Sequence, residues 1–194
     1  MSLSLKDFCQ QLTHFTEDEL ALVDTFFEEK EVKKRGFLVE EGSVCHWVAY
    51  IFEGAFRYFF IKEGNEKTTD LAFETMWITD FRSFVSGEKG LMNIQAMENS
   101  KVLIISKENL EKLYQLCPKY AFVGYKIMEM VAQKSFEMSL SLASEKPEER
   151  FLSLLKRYPS IFQRIPQRYI ANYIGIAPES LSRLRRRILE KEAR

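Results

Sequence analysis

Long apolar runs are missing from this 194-residue chain: nowhere do about 18 apolar residues follow one another, so no membrane span is expected. Histidine is nearly missing as well. His14 and His46 stand alone, too few and too far apart for a zinc or haem site. Cysteine is scarce, odd in number and scattered. Cys9, Cys45 and Cys117 fit neither a disulfide framework nor a metal motif, and they read as reduced thiols of a cytoplasmic protein. The first residues lack a basic region followed by an apolar block, so no secretion signal is expected. There is no Gly-rich phosphate loop and no Ser-His-Asp set, and metal catalysis on a β scaffold needs clustered histidines that the chain does not have. No enzyme is expected. Net charge is missing too, since 28 basic residues balance 28 acidic ones, and generic polyanion binding is disfavoured.

What is present is aromatic: 16 Phe and 8 Tyr can build a sizeable core, and the length suits one medium domain and one small one. Charge is balanced but unevenly placed. Towards the end, Arg164, Arg168, Arg183, Arg185, Arg186, Arg187, Lys191 and Arg194 meet only Glu179, Glu190 and Glu192. That excess lies on a distinctive pattern. Ile170, Ala171 and Ile174 lead into Gly175, where a turn needs a left-handed residue. Pro178 then suits the first position of a second helix. Leu181, Leu184 and Ile188 recur at helical spacing and give that helix one buried stripe. Glu179, Ser182, Arg183 and Arg186 are left facing outward. This is the layout of a DNA-reading helix-turn-helix, in which basic side chains grip phosphates and make binding salt-dependent.

Earlier in the chain, residues 5–31 show helical spacing, with Thr16 and Glu19 as a capping box. The period then changes to two, and strands are expected over 32–40, 47–52, 55–61, 66–73, 93–98 and 101–106. Glu41-Gly42, Glu53-Gly54 and Glu63-Gly64-Asn65 punctuate them as tight turns. Short helices are expected over 107–115 and 147–158, and a long one over 119–144. Along the long helix Gly124, Met128, Val131, Ser135, Met138 and Leu142 alternate spacings of four and three, the seam of a two-stranded coiled coil. The stretch 144–147, ending in Pro147, reads as a hinge. The expected class is α+β: a jelly-roll-like antiparallel β-roll over 1–117 with flanking helices, a dimerisation helix over 118–144, and a winged-helix-like helix-turn-helix over 145–194.

That order, together with Tyr50-Ile-Phe-Glu-Gly-Ala-Phe-Arg57 and Gly175-Ile-Ala-Pro-Glu-Ser-Leu-Ser-Arg183, resembles the Crp/Fnr family of bacterial transcription regulators. The resemblance implies a homodimer on palindromic double-stranded DNA, with RNA polymerase as a partner. It implies that Glu179 and Arg183 read base edges, a carboxylate accepting from cytosine N4 and a guanidinium forking onto guanine O6 and N7. Ser180, Ser182, Arg168, Arg186 and Arg187 join them at the interface. Pro178 replaces a basic reader found in some members, and Ala177 stands where a hydroxyl cap is common. In members that bind cyclic AMP, a Gly-Glu pair holds the ribose and an Arg-Ser pair the phosphate. Here Thr79-Asp80 and Gly90-Leu91 fall at those places, so cyclic AMP is not expected. Asp80, Arg82, Ser83 and Ser135 remain as candidate ligand contacts. The amino-terminal cysteine cluster of iron-sulfur sensors is missing, so no cluster is expected either. The rival is a nucleotide-binding signalling module that works through protein contacts, its terminal helices vestigial.

Overall fold

The computed structural model describes residues 3–192. Two helices precede the sheets, α1 (Leu5–Leu12) and α2 (Glu17–Phe26). The stretch of helical spacing over 5–31 is therefore divided. The Gln10 side chain accepts from Phe15 N and donates to Phe15 O, which holds the bend between the two. Thr16 and Glu19 then form the expected capping box on α2. The stretch expected to finish that helix is instead β1 (Glu28–Val32), whose Glu29 and Glu31 flank Lys101 on the neighbouring strand. Sheet pairing here overrides the helical spacing.

The other strands are β2 (Phe37–Val39), β3 (Trp47–Glu53), β4 (Phe56–Lys62), β5 (Asn65–Ala72), β6 (Trp77–Ile78), β7 (Asn93–Ala96) and β8 (Ser100–Ser106). They make two antiparallel sheets, β1-β8-β3-β6 and β2-β7-β4-β5, facing each other as a roll. Ala49, Ile51, Phe56, Ile94, Ala96 and Val102 fill the space between them. The β4–β5 hairpin closes through Glu63 and Gly64, both at positive φ, which is the backbone a two-residue hairpin loop requires. The irregular stretch between β5 and β7 contains β6 and the one-and-a-half turns of α3 (Phe81–Ser86), capped by Asp80 Oδ1. Neither element was expected.

Residues of alternate parity on the first sheet face outward. Tyr50 and Ile105 there meet α1, α4 (Lys107–Leu116) and the first turns of α5 (Pro118–Ser144), forming a second core. The 27 residues of α5 give a rod about 40 Å long. After it come α6 (Pro147–Arg157), α7 (Ile161–Arg164), α8 (Gln167–Ile174) and α9 (Pro178–Glu192). Among the described residues no strand forms after Glu145, so the likeness to a winged helix rests on the helices. The third core joins the parts: Ala55, Leu71, Phe73 and Met97 of the roll pack with Phe151, Ile161, Ile170 and Leu181 of the last four helices.

Candidate nucleic-acid interface

Between α8 and α9 the chain turns on Gly175, at φ 80° and ψ 30°, with Ile176 N donating back to Ala171 O. Ala171 is fully buried, so its methyl is all the space allows where the helices cross. Ile170, Ile174, Leu181, Leu184 and Ile188 are buried as the pattern predicts. The opposite face of α9 carries Glu179, Ser182, Arg183 and Arg186, all exposed. Arg183 donates to Ser180 Oγ at 3.2 Å. Glu179 and Arg183, one turn apart, therefore present one acceptor and one fork of donors side by side. Gln167 on α8 donates to Ser182 Oγ and to Pro178 O, pinning the start of α9, which the methyl of Ala177 does not cap.

The basic residues divide. Arg168 is exposed at the start of α8 and donates to Tyr169 Oη at 2.7 Å. Arg187 is held by Glu148 of α6, and Arg185 lies 4.4 Å over the Phe162 ring. Arg164 departs from the sequence-based expectation of a phosphate contact. It binds Glu74 with two nitrogens and also Glu98, both on turns of the roll. Burial disfavours its charge, but these two carboxylates outweigh that, so Arg164 is a strut between roll and reader. Arg194 lies outside the described residues.

Three further residues position the reader, and sequence reasoning gave them no role. Arg57 is buried, its guanidinium 3.9 Å from the Phe59 ring centre and 3.7 Å from that of Tyr169 on α8. It donates to Glu66 and Gln95. Asn172 accepts from Thr68 N and donates to Glu66 O, so α8 seals the open edge of β5. Arg150 donates to Ile174 O at the end of α8 and to Ser141 O and Glu145 O at the end of α5. The stretch expected to be a free hinge is thus bridged by one side chain. An arginine amid Phe56, Tyr58 and Phe59 was the available signal for Arg57; the other two show no signal in sequence.

The candidate ligand residues do not form one site. Asp80 Oδ1 and Ser83 are spent on α3: Ser83 Oγ accepts from Cys45 N and donates to Glu88 O. Arg82 is 65% exposed and faces Glu88 at 3.8 Å. Ser135 lines a cavity of about 610 Å³ between the roll and α5; Asp80, Arg82 and Ser83 are not part of that lining. Along α5, Gly124 does not lie on a free seam but packs under Tyr114 of α4. The exposed apolar face is wider than the heptad and includes Phe122, Tyr125, Phe136 and Leu140.

A β-roll joined by a long helix to a helix-turn-helix defines a two-part regulator of transcription. No family model matches the chain. It is 27% identical over 200 residues to the transcriptional activator protein FnrA of Stutzerimonas stutzeri, covering 93% of this chain and 78% of that one. In structure it is similar to FixK2 of Bradyrhizobium japonicum, with a TM-score of 0.72, 16% identity and 86% of both chains covered. A putative transcriptional regulator of the crp/fnr family from Eubacterium rectale superposes with a TM-score of 0.68 at 18% identity, covering 91% of this chain and 85% of that one. In sequence and in fold the chain is similar to transcriptional regulators of the Crp/Fnr family.

Proposed function

We propose that the chain acts as a homodimer on a palindromic DNA site, each α9 entering a major groove. The observation that carries this reading is the joint exposure of Glu179 and Arg183 one turn apart on a helix whose other face is buried. Such a pair suits adjacent base pairs containing G·C. Ser180, Ser182, Arg168, Arg186 and Arg187 surround it as contacts to the strands, and RNA polymerase is the further partner. Dimerisation falls to α5: Phe136 and Leu140 expose 70% and 56% of their surface, which a second copy of the helix would cover. Two readers held this way would meet half-sites about one turn of DNA apart. The roll is the effector domain for something other than cyclic AMP, because Arg82 points to solvent and, among the described residues, no arginine lines the cavity. The test is selection of bound fragments from random double-stranded DNA. The expected product is a palindrome with G·C pairs at matching places in each half. Recovery of unrelated sequences, or of single half-sites, would overturn the proposal.

A further inference from the structure

Where α8 meets the first turn of α9, three polar groups close a triangle that the pair Glu179 and Arg183 does not use. Gln167, half-buried at the start of α8, donates through Nε2 to Ser182 Oγ and, at 3.2 Å, to Pro178 O. The Ser182 hydroxyl donates in turn to Pro178 O, also at 3.2 Å. The amide cannot stand the other way round, because a carbonyl only accepts and the Gln167 oxygen would then face one. The triangle therefore fixes which group gives a proton and which receives it.

A serine hydroxyl has one proton and two lone pairs, so it ordinarily serves as donor or acceptor and singles out no base. At Ser182 the proton is committed to Pro178 O and one lone pair to Gln167. One lone pair is left, on an exposed residue three positions after Glu179 and directly before Arg183. Residues three and four apart share a helix face, so this acceptor stands beside the carboxylate and the guanidinium. In the major groove an acceptor meets the exocyclic amines of adenine (N6) and cytosine (N4). Guanine O6 and thymine O4 are acceptors themselves and are refused. We propose that Gln167 determines specificity by making the Ser182 hydroxyl an acceptor only. Each half-site then carries one position that admits A or C and rejects G and T on the same strand. Ser182 is the contact and Gln167 a positioning residue that touches no base. The proposal rests on the reading of α9 as the helix that enters the major groove. Glu179 and Arg183, which select C and G in that reading, do not account for such a two-base choice.

The test is selection from random duplex DNA with the full chain and three variants. Gln167→Met keeps the length of the side chain and removes its donors; Ser182→Ala removes the hydroxyl; the third variant carries both. The parent should return, beside the G·C pairs, one position per half-site restricted to A or C. Gln167→Met should relax that position alone. Discrimination there should fall roughly three- to tenfold in competition binding, as one hydrogen bond is worth. Ser182→Ala should do the same, and adding Gln167→Met to it should change nothing further, because the glutamine acts only through the hydroxyl. A glutamine that merely braced α8 against α9 would lower affinity for every duplex alike, with or without the hydroxyl. That outcome overturns the proposal. So does a parent site with G·C pairs but no A-or-C position, or one that Gln167→Met leaves intact, and both leave α9 standing as the reader. A parent that selects no sequence at all overturns the reader and this role of Gln167 together.

Discussion

At Arg57 a guanidinium with 1% of its surface exposed lies between two aromatic rings, one from β4 and one from α8. Taking that charge out of water is costly, and three hydrogen bonds with two ring faces offset the cost. Arg57→Met keeps the stem and loses all of these contacts. It should lower the stability of the chain by about 2 kcal/mol in denaturant unfolding. Arg183 is the opposite case, solvated and donating to Ser180 on its own helix. Arg183→Ala should leave unfolding unchanged while discrimination between the preferred site and a one-base variant falls by about 1–3 kcal/mol in competition binding. The sequence shows both arginines equally. Only burial separates a buried strut from an exposed candidate contact, and it is burial against Glu74 and Glu98 that removes Arg164 from the candidates.

Among the elements, α5 is the one whose pattern and environment disagree most. Its heptad marks one stripe, yet Gly124 of that stripe is taken up by Tyr114, and the outward side is apolar well beyond it. Phe136→Glu adds a charge where a second helix would pack. If α5 forms the proposed dimer, the substitution should leave a monomer by light scattering and abolish tight binding to a palindrome, with the helical circular dichroism signal retained. A dimer that persists unchanged would remove α5 from the interface. The helix-turn-helix was legible almost residue by residue, because a turn at positive φ and two apolar stripes are local demands. Gly175→Ala should cost about 1–2 kcal/mol in thermal unfolding, since a Cβ crowds the left-handed backbone.

Over the whole molecule, roll and reader share a core, and polar struts frame it. Glu74 is one of them. Burial raises its pKa, but hydrogen bonds from Arg164 and from Gly54 N outweigh that and leave it lowered from 4.5. A carboxyl lowered by folding stabilises the fold above its ordinary value and loses that contribution as pH falls through the lowered one. Melting temperature should therefore drop on acidification below about pH 4.5, and Glu74→Gln should flatten that drop. An unchanged profile in the variant would show that the strut carries no such linkage. Because Arg150 ties the ends of α5 and α8 together, any reorientation of the reader must break its bonds to Ser141, Glu145 and Ile174.

The sequence by itself determined the order of most elements, the left-handed turn at Gly175 and the outward placing of Glu179 and Arg183, because periodicity, capping and positive φ are properties of neighbours in the chain. Tertiary structure decided what no local pattern encodes. It ended α2 early to pair Glu28–Val32 with β8, placed Asn172 on the edge of β5, and left a cavity between the roll and α5. Each of these depends on groups far apart in the chain, and their energies exist only once folding has brought them together and excluded water.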